Sequence, residues 1–386
     1  MATNVATTAP LRARRRVGTY VMPAVAFLLV ALLFVWLIIN FTKSPSYFTN
    51  IAFIGLTNGS VYALVALGYT LVYGILELIN FAHGDVFMLG GLLSATMIGS
   101  VFGVTTHSST GFLVLAIVGS LAVAMAVLGG LNATIEFVAY RPLRGAPRLA
   151  PLITAIGVSF ILEDVAIGWK GPGYTALPNV LPTGAVFETH GIKYTWEKLI
   201  VFLITVPVLI ALVWLVQKTR QGKAMRATAQ DRDAAAMMGI NVNRTISFTF
   251  LLAGALAGAG GLVYALYFGQ IRYDTGYQLG LISLTAAVLG GIGNLPGAVL
   301  GALCIGFIQA FNEGLSWHSP GSDWTQSIVF SILILILVFR PEGLLGEGRR
   351  KESECAGASR MRSRAACGRC SEQWASRTSA GSPCRG

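Results

Sequence analysis

Eight apolar runs dominate this sequence and limit what it can fold into. Crossing about 30 Å of hydrocarbon takes roughly 20 residues of helix. Runs of this kind lie near residues 20–41, 50–77, 84–103, 111–137, 150–169, 199–216, 246–268 and 325–339. Lipid offers no hydrogen bonds to the backbone, so each run must satisfy its own N–H and C=O groups as a helix. Since 54% of the residues are hydrophobic and only 12% are charged, the sequence predicts an all-α, polytopic membrane protein.

Two interruptions complicate the count of spans. A further apolar stretch, 278–312, is broken by the glycine-rich segment 290–297, which predicts either two short spans or a re-entrant pair. Polar residues at 77–85 separate the second and third runs. We therefore expect 8–10 transmembrane helices, some broken or re-entrant near 77–85 and 290–297. Glycines four residues apart, typical of close helix packing, occur at Gly99/Gly103, Gly254/Gly258, Gly276/Gly280 and Gly297/Gly301.

The positive charges indicate how the chain is oriented. Lys and Arg cluster before the first run, after the fourth, in the loop 217–245 and after the last run, and the net charge is +11. Because Lys and Arg concentrate on the cytoplasmic side, this distribution predicts cytoplasmic termini and an even number of crossings. It predicts no nucleic-acid partner, because the charge follows the spans. The first run lacks a clean small-residue cleavage site, so we expect it to remain as a span.

Both ends of the chain differ from its middle. Residues 1–19 form a basic N-terminus, 20–346 the transmembrane domain, and 347–386 a basic tail with little apolar periodicity, predicted to be disordered. Four of the five cysteines lie in this tail, at Cys355, Cys367, Cys370 and Cys384. Cys367 and Cys370 have metal-ligand spacing, but without a second pair or a suitable His they predict no metal site.

The loop 217–245 carries signals of a short helix. Asp231 is a candidate N-cap, Gly222 a candidate helix break, and Gly239 a candidate stop after an Ala/Met run. This pattern predicts a helix at the membrane surface with an apolar knob made of Met237, Met238 and Ile240. Two interpretations remain: a docking element for a soluble partner, or an ordinary positively charged loop.

Polar side chains within apolar spans are rare and usually functional or paired. Asn80 and His83 could face a solute path in a broken helix, or simply lie at helix ends, with Asp85 capping the next helix. Polar residues of the second run could line the same path or form hydrogen bonds between helices. For Glu163 and Asp164, an ion pair, a water-filled vestibule and contact with a solute ammonium group stay open. The candidate path residues are Asn58, Tyr62, Asn80, His83 and Asn294.

No motif for enzyme chemistry occurs. The sequence has no GxxxxGK[ST] phosphate loop, no HExxH and no GxSxG. We therefore predict no catalytic residues and no cofactor.

Three segments carry a family resemblance: NGSVYALVALG at 58–68, GILELINFAHGD at 74–85 and VLGGIGNLPGAVLG at 288–301. They resemble the branched-chain amino acid permease family, the LivH-type transmembrane subunits of bacterial ATP-binding-cassette (ABC) importers. The resemblance covers about residues 45–347. It implies that 20–346 is a permease domain and that 217–245 is its cytoplasmic coupling loop.

The same resemblance assigns roles within that loop. Permeases of ABC importers contact their ATPases through a Glu-Ala-Ala-x-x-x-Gly core, and Asp233-Ala-Ala-x-x-x-Gly239 is similar to it, with Asp replacing Glu. The ATPase-coupling residues that this implies are Asp233, Ala234, Ala235, Met237, Met238 and Gly239.

Partners and solute follow only from the resemblance. It implies a second homologous permease subunit, two cytoplasmic ATPase subunits, a periplasmic or extracellular solute-binding protein, membrane lipid around the chain, and a place in the bacterial inner membrane. Branched-chain amino acids are the expected solute, with urea, short amides or another amino acid as alternatives. A proton-coupled secondary transporter, and a channel or scaffold without coupled transport, are competing hypotheses. A secondary transporter has no need of a capped docking helix, and a channel is expected to work alone.

Overall fold

Helices make up nearly all regular structure in the part of the chain that the computed structural model describes, namely residues 34–76, 80–104, 108–147, 149–177, 181, 184–189, 191–315, 321–339 and 343–345. The predicted N-terminus 1–19, the tail 347–386 with its cysteines, and the start of the first run lie outside these residues. The helices are α1 (Phe34–Lys43), α2 (Pro45–Leu76), α3 (Ala82–Thr96), α4 (Thr110–Ile135), α5 (Leu149–Lys170), α6 (Trp196–Lys218), α7 (Arg220–Gln230), α8 (Arg232–Met237), α9 (Val242–Phe268), α10 (Thr275–Gly290), α11 (Leu295–Gly314) and α12 (Thr325–Phe339).

Seven of the described helices are long and apolar enough to cross a membrane. These are α2, α4, α5, α6, α9, α11, and α3 together with the π-helical turn Met97–Val101 that continues it. Three shorter apolar helices, α1, α10 and α12, accompany them. The chain is thus an all-α, polytopic membrane protein, as predicted. The number of crossings stays a prediction, because α10, at 16 residues, is about 24 Å long and falls short of a full hydrocarbon layer.

The helices α2 and α9 form the centre of the bundle. In both, 78% of the most apolar window is buried, against 22% in α5 and α6. Contacts run from α2 to α11, α9 and α10, and from α9 to α3 and α4. The outer helices instead expose large apolar side chains, among them Phe160, Leu203, Ile210 and Trp214. Such side chains on the outside of a bundle fit contact with lipid tails.

Glycines let the central helices approach one another closely. A Cβ at Gly258 would lie 2.6 Å from the carbonyl oxygen of Ala124, and one at Gly301 would lie 2.1 Å from that of Ala286. Gly276 packs on Gly84 in the same way. The predicted pair Gly99/Gly103 differs, because a Cβ at Gly103 would meet no atom within 4 Å. This glycine lies in the turn after α3 and not at a helix contact.

Both predicted interruptions occur. The second helix ends at Leu76 and α3 begins at Ala82, while α10 ends at Gly290 and α11 begins at Leu295. The prediction that Asp85 caps α3 is wrong, because Asp85 lies inside the first turn and the N-cap position makes no side-chain cap. Its carboxylate instead accepts a hydrogen bond from Ser159 of α5.

The turn between α10 and α11 is completed by a distant segment. The backbone N–H groups of Leu344 and Leu345 donate to the carbonyl oxygens of Leu289 and Gly290, at 2.8 and 3.1 Å. The side chain of Asn294 donates to the carbonyl oxygen of Leu345 at 2.8 Å. The end of α10, whose carbonyls have no partner within the helix, is therefore closed by residues that follow α12.

Two small sheets, which we did not predict, lie between helices. Strands β1 (Thr175–Ala176) and β4 (Gln270–Ile271) pair antiparallel, as do β2 (Ala185–Thr189) and β3 (Ile192–Thr195). Asn50 of α2 holds the second sheet, accepting from the N–H of Lys193 and donating to the carbonyl of Gly191, both at 2.9 Å. The opposite end of the bundle carries α7 and α8, and we call it the basic end.

Candidate coupling end and path residues

The helix α7 lies against the ends of α2, α6 and α9. The hydroxyl of Thr219 caps it by accepting a hydrogen bond from the N–H of Gly222 at 3.1 Å. The prediction that Gly222 breaks a helix is wrong, since this residue lies in the first turn of α7. A Cβ at Gly222 would lie 2.1 Å from the carbonyl oxygen of Val216. Glycine here lets α7 fold back closely on the end of α6.

The helix α8 has a defined cap at each end. Asp231 accepts from the N–H groups of Asp233 and Ala234 at 2.9 and 3.0 Å, as predicted for an N-cap. At the other end Gly239 has a φ of +81°. Its N–H donates to Ala236, and that of Ile240 donates to Ala235, which is the Schellman arrangement. Both ends of this six-residue helix are therefore satisfied by local hydrogen bonds.

The two faces of α8 differ sharply. Ala235 is buried against the bundle, whereas Met237 and Met238 are each 82% exposed. Ile240 is only half-buried, and its backbone closes the helix end. The apolar knob of the basic end consequently consists of the two methionines, with Ile240 less exposed than we expected.

A hydrogen bond ties α8 to the centre of the bundle. The Nη2 atom of Arg232 donates to the carbonyl oxygen of Ile75 at 2.8 Å. Ile75 lies in the last turn of α2, immediately before the 77–85 interruption. The surface helix is thus fastened to one of the two central helices.

A buried ion pair near this link was missed from sequence. Glu136, fully buried in a π-helical turn at the end of α4, pairs with Arg144. Ser247 of α9 donates to the same carboxylate at 2.5 Å, and Arg144 also donates to the side chain of Asn243 at 2.5 Å. The sequence did contain a signal for this pair, since Glu136 lies inside an apolar run and Arg144 follows it eight positions later. The pair joins the end of α4 to the start of α9.

Positive charge remains in excess around this pair. Burial lowers the pKa of Arg144, Glu136 opposes that effect, and Arg141 and Arg232 lower it further through charge repulsion. Burial is thus the main cause of the lowered pKa, and the attraction to Glu136 is larger than the repulsion from either Arg141 or Arg232.

Among the described residues, no side-chain hydrogen bond joins any two of the five candidate path residues. Asn80 accepts a hydrogen bond from the hydroxyl of Tyr140 at 2.7 Å. His83 is fully buried, with its ring centroid 4.8 Å from that of Tyr69. The carbonyl of Val65 is close to His83, but neither ring nitrogen makes a hydrogen bond of normal geometry within the described residues.

The other three candidates have different surroundings. Tyr62 of α2 donates to the side chain of Gln309 of α11, which joins the two helices. Asn294 caps α11 by accepting from Gly297 at 3.3 Å. Asn58 is buried, and its Oδ1 atom has no partner among the described residues. Likewise, no three His, Cys, Asp or Glu side chains of the described chain lie together in a way that could hold a metal ion.

Comparison with known proteins places this helical arrangement in a family. A profile of the branched-chain amino acid transport system permease component matches residues 51–338. The chain belongs to this permease family. It is 38% identical over 295 residues to the high-affinity branched-chain amino acid transport system permease protein BraD of Pseudomonas aeruginosa, covering 76% of this chain and 94% of BraD.

Two further relatives extend the comparison. The corresponding LivH protein of Escherichia coli K12 is 37% identical over 305 residues, which is 78% of this chain and 96% of LivH. The ribose import permease protein RbsC of the same organism is 29% identical over 318 residues, which is 80% of this chain and 91% of RbsC. All three relatives are named as transport permeases.

Proposed function

We propose that this chain is the transmembrane permease subunit of an ABC importer for branched-chain amino acids, and that α8 is its contact with a cytoplasmic ATPase. The observation that carries the second part is the exposed pair Met237 and Met238, held on a helix capped at both ends. Burying this knob on a partner removes about 200–300 Å² of apolar surface, worth roughly 5–8 kcal/mol before ordering costs. Asp233, Ala234 and Gly239 shape the helix that presents it.

The proposal includes the rest of the assembly. A second homologous permease subunit, two ATPase subunits and a solute-binding protein are the partners, and the chain lies in the bacterial inner membrane with both termini in the cytoplasm. The concentration of Lys and Arg at the basic end supports this orientation. The chain itself performs no chemistry, and ATP hydrolysis belongs to its partners.

Relatives named for branched-chain amino acids support the choice of solute. They share more identity with this chain than the ribose permease does. Uptake of radiolabelled leucine, urea and ribose by the assembled importer separates these solutes. Competition by valine and isoleucine but not by urea or ribose is the expected result.

For the path itself we propose Asn58, Asn80 and His83. Each has at least one buried polar atom without a hydrogen-bond partner in the described chain. An unpaired buried polar atom costs about 1–3 kcal/mol, and water or solute passing through an open state would satisfy it. Tyr62 already has a hydrogen-bond partner on α11, and Asn294 has one at Leu345. This supports structural roles for both residues at the edge of such a path.

The docking proposal is tested by charging the knob. In Met238→Glu, an ATPase interface would have to bury an unpaired carboxylate, which is costly. We expect the variant to reach the membrane at the wild-type level, while ATPase co-purification and solute-stimulated hydrolysis fall at least tenfold. Met238→Leu keeps the apolar surface and is the matched control. Wild-type binding and hydrolysis in Met238→Glu would show that α8 is only a connector.

A further inference from the structure

A cavity of about 410 Å³ opens at the basic end, between the end of α2, the start of α5, α7 and Arg232. Its size is at the lower end of the range for small-molecule sites, about 300–1,000 Å³. Arg144 and Arg232 both line it, together with Gln230 and Thr228. No acidic side chain is among the described residues in its wall.

The charge of the wall favours an anion. One side of Arg144 is occupied by Glu136, but its Nε atom has no partner in the described chain. Among the described residues, the side chain of Arg232 donates one hydrogen bond, to the neutral carbonyl oxygen of Ile75. Burial is the main cause of the lowered pKa of Arg144, and repulsion from Arg232 adds to it. An anion placed between the two guanidinium groups would attract both of them.

Two neutral features of the wall point the same way. Pro151 brings the first turn of α5 to the cavity, and the N-terminus of a 22-residue helix favours negative charge. Thr228 is buried, and its hydroxyl has no partner within the described residues. Other helical threonines here, such as Thr245 and Thr249, donate to the carbonyl four residues earlier.

We propose that this cavity binds a small oxyanion, a phosphate or carboxylate group, between Arg144 and Arg232. The group could come from a molecule in solution or from the head of an anionic phospholipid, since both present the same chemistry. Arg232 would then be shared between the anion and the carbonyl of Ile75. Occupancy would alter the link between α8 and α2.

The test measures thermal unfolding of the full-length permease, with any subunits that co-purify, in nanodiscs of phosphatidylcholine. Midpoints are compared in sodium phosphate and in sodium chloride of equal ionic strength. A bound anion should raise the wild-type midpoint by about 2–4 °C or more in phosphate. Phosphate also stabilises proteins generally, so the informative quantity is the phosphate-minus-chloride difference within each variant.

Three variants assign that difference to the cavity. Arg232→Gln should lose most of it, whereas Arg232→Lys, which keeps the charge, should retain most of it. Lys223→Gln removes an exposed charge from α7 outside the cavity wall and should behave as wild type. The same difference in all four proteins would mean a general salt effect and would overturn the proposal.

The source of the anion is resolved by a second set of discs that contain phosphatidylglycerol. If the lipid head fills the cavity, the wild-type midpoint rises in chloride and phosphate adds little, and Arg232→Gln again loses the rise. If a soluble anion fills it, the response to phosphate persists in both kinds of disc. Absence of any Arg232-dependent rise with either source also overturns the proposal.

Discussion

Arg232 and Ile75 are joined by a hydrogen bond of 2.8 Å that connects a surface helix to a central one. The acceptor is a carbonyl in the last turn of α2. The helix α8 is thus bonded directly to the residues that precede the 77–85 interruption. Under the proposed function this contact lies between the ATPase and the path.

We predict that Arg232→Ala separates docking from coupling. The knob of Met237 and Met238 is untouched, so ATPase should still co-purify. A hydrogen bond from a charged donor is worth about 1.5–3 kcal/mol. Without it, the equilibrium between α8 bonded to α2 and α8 separated from it should shift about tenfold or more towards the separated state. Solute taken up per ATP hydrolysed should fall accordingly. Arg220→Ala, an exposed charge loss on α7, is the control, and equal coupling in the two variants would contradict the prediction.

A second prediction concerns Gly239. Its φ of +81° is unfavourable for residues with a Cβ, although a Cβ there would meet no atom within 4 Å. Gly239→Val should therefore destabilise the end of α8 by about 1–3 kcal/mol through backbone strain alone. Gly239→Asn should be tolerated, because Asn adopts this conformation more readily. Reduced ATPase co-purification in Gly239→Val but not in Gly239→Asn is the expected result, and equal loss in both would point to a direct contact.

A third prediction distinguishes a role of Asn80 in the solute path from a role in helix packing. If Asn80 faces the solute, Asn80→Leu should lower uptake several-fold while membrane level and ATPase binding persist. Tyr140→Phe removes the same 2.7 Å hydrogen bond without changing Asn80. It should leave uptake near the wild-type value. Matching losses in the two variants would assign Asn80 to structure, and His83→Leu should follow Asn80→Leu if both line the path.

The contact between Gly68 and His83 gives a fourth prediction. A Cβ at Gly68 would lie 2.2 Å from Nε2 of His83. Gly68→Ala should cost about 1–3 kcal/mol by overpacking, seen as a lower unfolding midpoint or membrane level. Gly130→Ala, on α4 with no atom within 4 Å, should be neutral or slightly stabilising. Gly68→Ala should cost less stability in a His83→Ala background than in the wild type, and an equal cost in both backgrounds would place the cause elsewhere.

The buried pair Glu136–Arg144 gives a fifth prediction. Removing one partner leaves a buried charge and should cost about 3–5 kcal/mol. Arg144→Met alone should therefore destabilise more than Arg144→Met combined with Glu136→Gln. Unfolding midpoints of the two single variants and the double variant form the required cycle. Additive losses would show that the two side chains do not depend on each other.

Features set by neighbouring residues could be predicted from the sequence. The caps of α8 depend on Asp231 and Gly239, which act on residues no more than four positions away. Both helix interruptions follow from local glycines and polar residues. Hydrophobic runs determine the spans because lipid leaves the backbone no alternative to a helix.

Features that depend on packing between distant parts of the chain could not be predicted from the sequence. The partner of Asp85 is 74 residues away, and no local pattern distinguishes a capping carboxylate from one that meets Ser159. From the sequence alone Gly222 is expected to break a helix. The structure shows that a glycine is needed at this position because the backbone lies close to the carbonyl of Val216. Five separate segments line the cavity at the basic end, namely α2, residues 143–146, α5, α7 and α8, so its wall has no sequence signature.

The closure of the α10–α11 turn by Leu344 and Leu345 has a consequence for biosynthesis. Leu345 follows Asn294 by 51 residues, so at about 5–20 residues per second a ribosome needs roughly 3–10 s to supply it. During that interval the carbonyls of Leu289 and Gly290 must rely on water or on the insertion machinery. A nascent chain therefore acquires its finished α10–α11 turn only once the residues that follow α12 have been synthesised and have reached that turn.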